Sequence, residues 1–85
     1  MNSMLSFDTQ LYSVLRSKLQ ASTVELQTPQ GITVKEFLDL ACETYPVMAP
    51  YRSVMRLAVN HEYAQDSRTL QDGDETAIIT PVSGG

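Results

Sequence analysis

Leu70-Gln71-Asp72-Gly73-Asp74-Glu75-Thr76-Ala77-Ile78-Ile79-Thr80-Pro81-Val82-Ser83-Gly84-Gly85 is the most telling stretch of this 85-residue chain. Asp72-Gly73-Asp74 is a turn, because its glycine supplies the backbone freedom that a tight reversal needs. Thr76 to Thr80 then reads as a strand. Its apolar residues run together without polar alternation, so both faces are expected to be buried and the strand to be central in its sheet. Beyond it, Gly84 and Gly85 have no Cβ, so this end can thread a channel too narrow for other residues. Extended from Pro81 to Gly85, a terminal carboxylate reaches roughly 17 Å past the strand. Such a tether suits a chemical group that is delivered into another protein's active site.

Upstream, Thr33-Val34-Lys35-Glu36 forms a capping box. The threonine hydroxyl accepts from the N–H of Glu36, whose carboxylate reaches back to the N–H of Thr33. Ile32 and Phe37 are placed for a hydrophobic staple. Val34, Phe37, Leu38, Ala41, Cys42 and Tyr45 follow the spacing of a buried helical face, and Pro46 closes it. Leu5–Tyr12 predicts a first strand, with Phe7 and Leu11 on one parity and Asp8 and Gln10 on the other. A short helix is expected over Ser13–Leu19 and a second strand over Thr23–Gln27, before the turn Pro29-Gln30-Gly31. Val47–Val54, which contains Pro50, is expected to be a loop or distorted turn. Arg56–Asn60 predicts a third strand, and Asn60-His61 turns it into a short Glu62-Tyr63 strand. Four or five strands around one principal helix give an α+β domain. The element order is compatible with a β-grasp sheet among other topologies. One domain is expected over residues 1–80, with a flexible tail over 81–85.

Composition excludes several classes. Hydrophobic residues make up 42% and charged residues 19%, as in an ordinary globular protein. Six Lys and Arg stand against ten Asp and Glu, and the basic residues are scattered. No basic stripe tracks a phosphate backbone, so nucleic acid is not an expected partner. No apolar run approaches the roughly 20 residues that span a bilayer, and Met1-Asn2-Ser3-Met4 lacks the features of a signal peptide. A single cysteine agrees with a reducing compartment. The chain is expected in the cytoplasm, with no membrane partner.

Several side chains invite a chemical reading and a plainer one. Cys42 is a candidate thiol nucleophile, but its place on the apolar helical face suits a small buried hydrophobe better. His61 has no His or Cys cluster beside it, so a turn residue outweighs a metal ligand. Asp72, Asp74 and Glu75 crowd around one glycine without the spacing of an EF-hand loop. Ser83 lacks a base and an elbow motif. No acid, base and nucleophile converge, so the chain is expected to have no catalytic, cofactor-binding or metal-binding residues of its own.

Asp72-Gly73-Asp74-Glu75-Thr76-Ala77-Ile78-Ile79-Thr80-Pro81-Val82-Ser83-Gly84-Gly85 closely resembles the C-terminal signature of the MoaD-like small subunits of molybdopterin synthase. These belong with the thiamin-pathway carrier ThiS among the ubiquitin-like sulfur carriers. Leu11–Arg16, Thr23–Leu26 and Leu57–Asn60 extend the resemblance over almost the whole chain from Leu5. Thr80-Pro81 stands where that family commonly has two prolines, and Val14 and Gln20 stand where arginine and glycine are often found.

The resemblance implies an α+β, ubiquitin-like β-grasp fold: a mixed four- to five-stranded sheet on a principal helix, with a flexible Gly-Gly tail. It implies that Gly85 is adenylated with ATP by an ubiquitin-activating-type adenylyltransferase and converted to a thiocarboxylate, with a sulfurtransferase as sulfur source. It further implies that Pro81, Val82, Ser83 and Gly84 thread the active site of a large catalytic subunit, in a heterotetramer. Sulfur then passes to cyclic pyranopterin monophosphate. Tyr12, Tyr63 and Ile79 match the apolar sheet face that meets the partners, although Ile79 also suits the core. Alternatives are a carrier for thiamin or tRNA thiolation, an ubiquitin-like protein modifier, and a binding module whose Gly-Gly carries no chemistry.

Overall fold

A computed structural model of the chain describes residues 4–80. Along the chain run β1 (Met4–Leu11), α1 (Ser13–Leu19), β2 (Thr23–Pro29), α2 (Val34–Thr44), a 3-10 helix (Pro46–Val54), β3 (Arg56–Val59), β4 (Glu62–Tyr63) and β5 (Thr76–Ile79). The five strands form one mixed sheet of order β2-β1-β5-β3-β4. β5 is central, parallel to β1 and antiparallel to β3. The helices and one face of the sheet enclose the core.

Strict alternation along β1 explains that layering: Leu5, Phe7, Thr9 and Leu11 are buried while Met4, Ser6, Asp8 and Gln10 are exposed. α2 lies across the buried face. Both bonds of its capping box form, with the Glu36 N–H donating to Thr33 Oγ1 at 3.3 Å and the Thr33 N–H donating to Glu36 Oε1 at 3.0 Å. The Thr33 N–H and the Thr33 hydroxyl, both donating to Glu36 Oε1, hold the Glu36 carboxyl below its ordinary pKa. Val34, Phe37, Leu38 and Ala41 are buried. Phe37 meets Phe7 edge-on, with ring centroids 5.5 Å apart, and so ties helix to sheet.

Two expectations need correction. Val47–Val54 is not irregular but lies within the 3-10 helix. Pro46 presets the first turn, and Pro50 cannot donate to an α-helical ladder, so tighter bonds such as Met48 N–H to Tyr45 O (2.9 Å) close the turns instead. Met48 is fully buried, and Arg52 Nε donates to Asp39 Oδ1 at 2.7 Å, fastening this segment to α2. That hydrogen bond is the main reason the Asp39 carboxyl lies below its usual pKa.

β5 is not buried on both faces. Thr76, Ile78 and Thr80 point into the core, whereas Ala77 and Ile79 are half-buried on a sheet face that no other described element covers. The apolar run of β5 therefore reports two different environments: core on one side and open sheet on the other.

Candidate functional site

β5 ends at Ile79, and Thr80 is the last described residue before Pro81-Val82-Ser83-Gly84-Gly85. Those five residues, with the thiocarboxylate and threading roles expected of them, lie outside the described residues. Their root does not. Thr80 is 4% exposed, and its hydroxyl has no hydrogen-bond partner among the described residues. The segment leading to Gly85 therefore starts from a fixed point inside the domain.

Cross-strand partners share a sheet face. Pairing of Gln10 with Ala77, of Ala77 with Ala58, and of Ala58 with Tyr63 draws one row across the open face from β1 to β4. The next row toward the tail pairs Ile79 with Arg56. Tyr12 follows β1 on the same side, and its hydroxyl donates to Gln10 Oε1 at 2.6 Å. The Arg56 guanidinium stands 5.9 Å from the Tyr63 ring centroid. The small side chains Ala58 and Ala77 leave a shallow depression that Tyr12 and Ile79 border.

Tyr12, Tyr63 and Ile79, far apart in sequence, are thus brought to one face. The tyrosines are 42% and 61% exposed, too open for core residues. Tyrosine suits such a surface because its ring buries area while its hydroxyl stays wet. Sequence reasoning missed Arg56, Ala58 and Ala77. A signal existed in Arg56-Leu57-Ala58-Val59, where Arg56 and Ala58 share the parity opposite the buried Leu57 and Val59.

The other candidates have structural surroundings. Cys42 is half-buried, with its Sγ 3.8 Å from Met55 Sδ, and burial pushes its thiol pKa up. A protonated thiol is a poor nucleophile. His61 sits in the β3–β4 turn with φ 73°, its Nε2 3.0 Å from Glu75 Oε2. Asp74 accepts from the Gln71 N–H at 2.8 Å and from Asn60 Nδ2 at 3.0 Å, while Asn60 Oδ1 accepts from the Glu75 N–H at 2.9 Å. Together these bonds fasten the start of β5 to the β3–β4 turn. No group of three or more His, Cys, Asp or Glu among the described residues could hold a metal ion. No described helix is long and apolar enough to cross a membrane.

Residues 10–85 match the model of the ThiS family, a span that includes Tyr12, Tyr63 and Ile79, the tail root and Gly85. This chain belongs to the ThiS family. Over 75 residues this ThiS-family chain is 37% identical to the molybdopterin synthase sulfur carrier subunit of Arabidopsis thaliana, covering 88% of this chain and 78% of that relative. Among solved structures, SAMP1 from Haloferax volcanii matches with a TM-score of 0.77 at 26% identity, over 94% of this chain and 99% of that one. A chain in the complex of subunits 1 and 2 of molybdopterin-converting factor from Helicobacter pylori 26695 matches with a TM-score of 0.61 at 18% identity. That match covers 98% of this chain and 100% of the other. The fold is the ubiquitin-like β-grasp that the resemblance implied.

Proposed function

We propose that this ThiS-family chain is the sulfur-carrier subunit of a molybdopterin synthase. The observation that carries this reading is the 37% identity with a sulfur carrier subunit over 88% of the chain. The family match, which runs through Gly85, adds to it.

The chemistry follows from the end group. A carboxylate resists attack because its charge is delocalised over two oxygens. An adenylyltransferase of the ubiquitin-activating type joins the Gly85 carboxylate to the α-phosphorus of ATP, with pyrophosphate leaving. A persulfide on a sulfurtransferase then attacks the acyl carbon and displaces AMP. A thiol cleaves the resulting acyl disulfide, leaving Gly85 as a thiocarboxylate and the two thiol sulfurs joined as a disulfide. Within the synthase, probing of the large subunit's site by Pro81 to Gly85 presents that sulfur to cyclic pyranopterin monophosphate. The large subunit supplies the catalytic side chains, and this chain acts as co-substrate in a cytoplasmic heterotetramer. A large partner is supported by the Helicobacter pylori likeness, which comes from a complex of two subunits. The open face with Tyr12, Tyr63 and Ile79 is the surface offered to that partner and to the adenylyltransferase.

Intact-mass spectrometry tests the reading. The protein is incubated with the activating enzyme and sulfurtransferase of its own source, ATP and a sulfur donor. Replacement of one oxygen by sulfur, mapped to Gly85, is the expected result. An unchanged mass, in a mixture that converts a known carrier, overturns it.

The likeness to SAMP1, a small archaeal modifier protein, favours a second reading in which activated Gly85 is joined to a lysine amine of another protein. Peptide mapping after trypsin separates the two: a modifier gives a lysine carrying the Thr69–Gly85 peptide in isopeptide linkage, and a dedicated carrier gives none.

A further inference from the structure

The open face carries charge at its two ends, and the ends have opposite signs. On β1 and β2, Asp8 stands directly opposite Glu25, and both side chains are exposed. Like charges in that position repel and destabilise the strand pair. Neither carboxylate has an ion-pair partner among the described residues, and only the Ser6 hydroxyl, 3.1 Å from Glu25 Oε2, approaches the pair. Glu75, which borders the same depression, continues this acidic row toward His61.

At the other end stands Arg56. It pairs across strands with Ile79, the last residue of β5, so its backbone lies level with the root of the tail while its guanidinium reaches toward β4. It faces the Tyr63 ring and has no carboxylate partner among the described residues. Between the acidic row and Arg56 lie the small apolar residues Ala58 and Ala77. Four residues of strand separate the two ends, roughly 13 Å. The face is therefore an apolar saddle with three acids, Asp8, Glu25 and Glu75, at the end remote from the tail and one base, Arg56, at the end level with the tail root.

We propose that this polarity fixes the direction in which the partner docks, and hence where the tail is fed. The occupant is the large subunit of the synthase, so the inference rests on the function proposed above. Its complementary surface presents lysine or arginine over Asp8 and Glu25 and a carboxylate against Arg56, with an apolar ridge over Ala58 and Ala77. Rotated by half a turn on the same apolar contact, the partner would set its bases against Arg56 and its acid against Asp8 and Glu25. Like-charge juxtaposition of this kind rejects the wrong pose and steers encounter toward the right one. The repulsion between Asp8 and Glu25 in the free protein is relieved when a cation covers both.

The test is a calorimetric and stopped-flow titration with the purified large subunit of the same source, at low and at raised potassium chloride. The double variant Asp8→Asn/Glu25→Gln is expected to bind about tenfold more weakly at low salt, chiefly through a slower association rate, with a shallower salt dependence. Its thermal midpoint should not fall, because a repulsive pair has been removed. Arg56→Glu should weaken binding at least as much, whereas the same reversal on α1, Arg16→Glu, should not. Equal affinities for wild type and both face variants would overturn the polarity while leaving the partner in place. An equal loss for Arg16→Glu would also overturn it, since net charge rather than placement would then govern association. A wild-type protein that does not bind the large subunit at all would remove the proposed function, and the polarity with it.

Discussion

Thr9 and Thr76, 67 positions apart in sequence, bring their hydroxyl oxygens to 2.8 Å inside the core. They are also cross-strand partners in the parallel pairing of β1 with β5. Both are almost fully buried, so each hydroxyl depends on the other in place of water. This pair joins the first strand to the last and fixes the height at which β5 runs toward the tail.

Breaking one side of the pair should cost more than removing both. Thr9→Val leaves Thr76 with a buried, unmatched hydroxyl, and should lower stability by about 1–3 kcal/mol. Thr9→Val/Thr76→Val replaces both by apolar groups of the same shape and should recover most of that loss. Urea denaturation of the two single variants and the double variant closes the cycle. Additive losses would show that the two hydroxyls do not act as a pair.

Gln20 caps α1 with φ 52° and ψ 41°, a left-handed conformation that L side chains adopt at a cost. This is the position at which the sequence resemblance finds glycine often. Gln20→Gly should therefore raise stability by about 0.5–1 kcal/mol, although glycine is destabilising in most helical positions. Gln20→Ala keeps the strain and should give no such gain. Thermal unfolding compares the three proteins directly.

Asp74 should make stability depend on acid. Burial on its own would raise its pKa, but hydrogen bonds from the Gln71 N–H and Asn60 Nδ2, together with the Arg68 charge, bring it below the ordinary value. A carboxyl whose folded pKa is depressed binds fewer protons than the unfolded chain. Its contribution is thus complete above the unfolded pKa of about 3.9 and is lost as pH falls through the folded value. Asp74→Ala should lower stability near neutrality by about 1–2 kcal/mol and flatten the acid limb below pH ~4. The limb will not vanish, because Glu36 and Asp39 are shifted in the same direction. Urea midpoints measured from neutral to acid pH give both quantities.

Ile79→Asp should leave the monomer folded. Its side chain is half-buried on the open face, where a carboxylate still reaches water. Partner affinity should fall about tenfold or more, because apolar area is lost at the tail end of the docking surface and a carboxylate lands beside Arg56. Circular dichroism checks the fold and calorimetry checks the affinity. Unfolding of the variant would assign Ile79 to the core.

Gly85→Ala, or one residue added after Gly85, should abolish activation while leaving the thermal midpoint unchanged. A Cβ or an extra residue obstructs a channel shaped for bare backbone. Intact mass after activation reads the outcome, and retained sulfur transfer by either variant would contradict the narrow-channel argument.

Much of the fold was legible locally. The capping box and the apolar spacing from Val34 to Tyr45 define α2 because both depend on residues within a turn or two of one another. Alternation in β1 likewise shows which side chains turn inward. The chemical role suggested for Gly84 and Gly85 needs nothing beyond their lack of side chains and their place in the family signature. Val47–Val54 reads as a loop because Pro46 and Pro50 rule out a regular α-helix but still allow 3-10 turns, and only the burial of Met48 and the grip of Arg52 on Asp39 select them.

The sequence by itself determined α2 and the strands, and suggested the chemistry expected of the tail. Only the tertiary structure decided which side of that strand faces the helices. Thr76-Ala77-Ile78-Ile79 is apolar on both parities, so no local pattern distinguishes its core side from its open side. Packing decides it, through partners such as Thr9 for Thr76 and Arg56 for Ile79. The opposed charges of the open face have the same origin. Asp8 and Glu25, or Ile79 and Arg56, become neighbours only when strand register sets them side by side, and register is a property of the whole sheet.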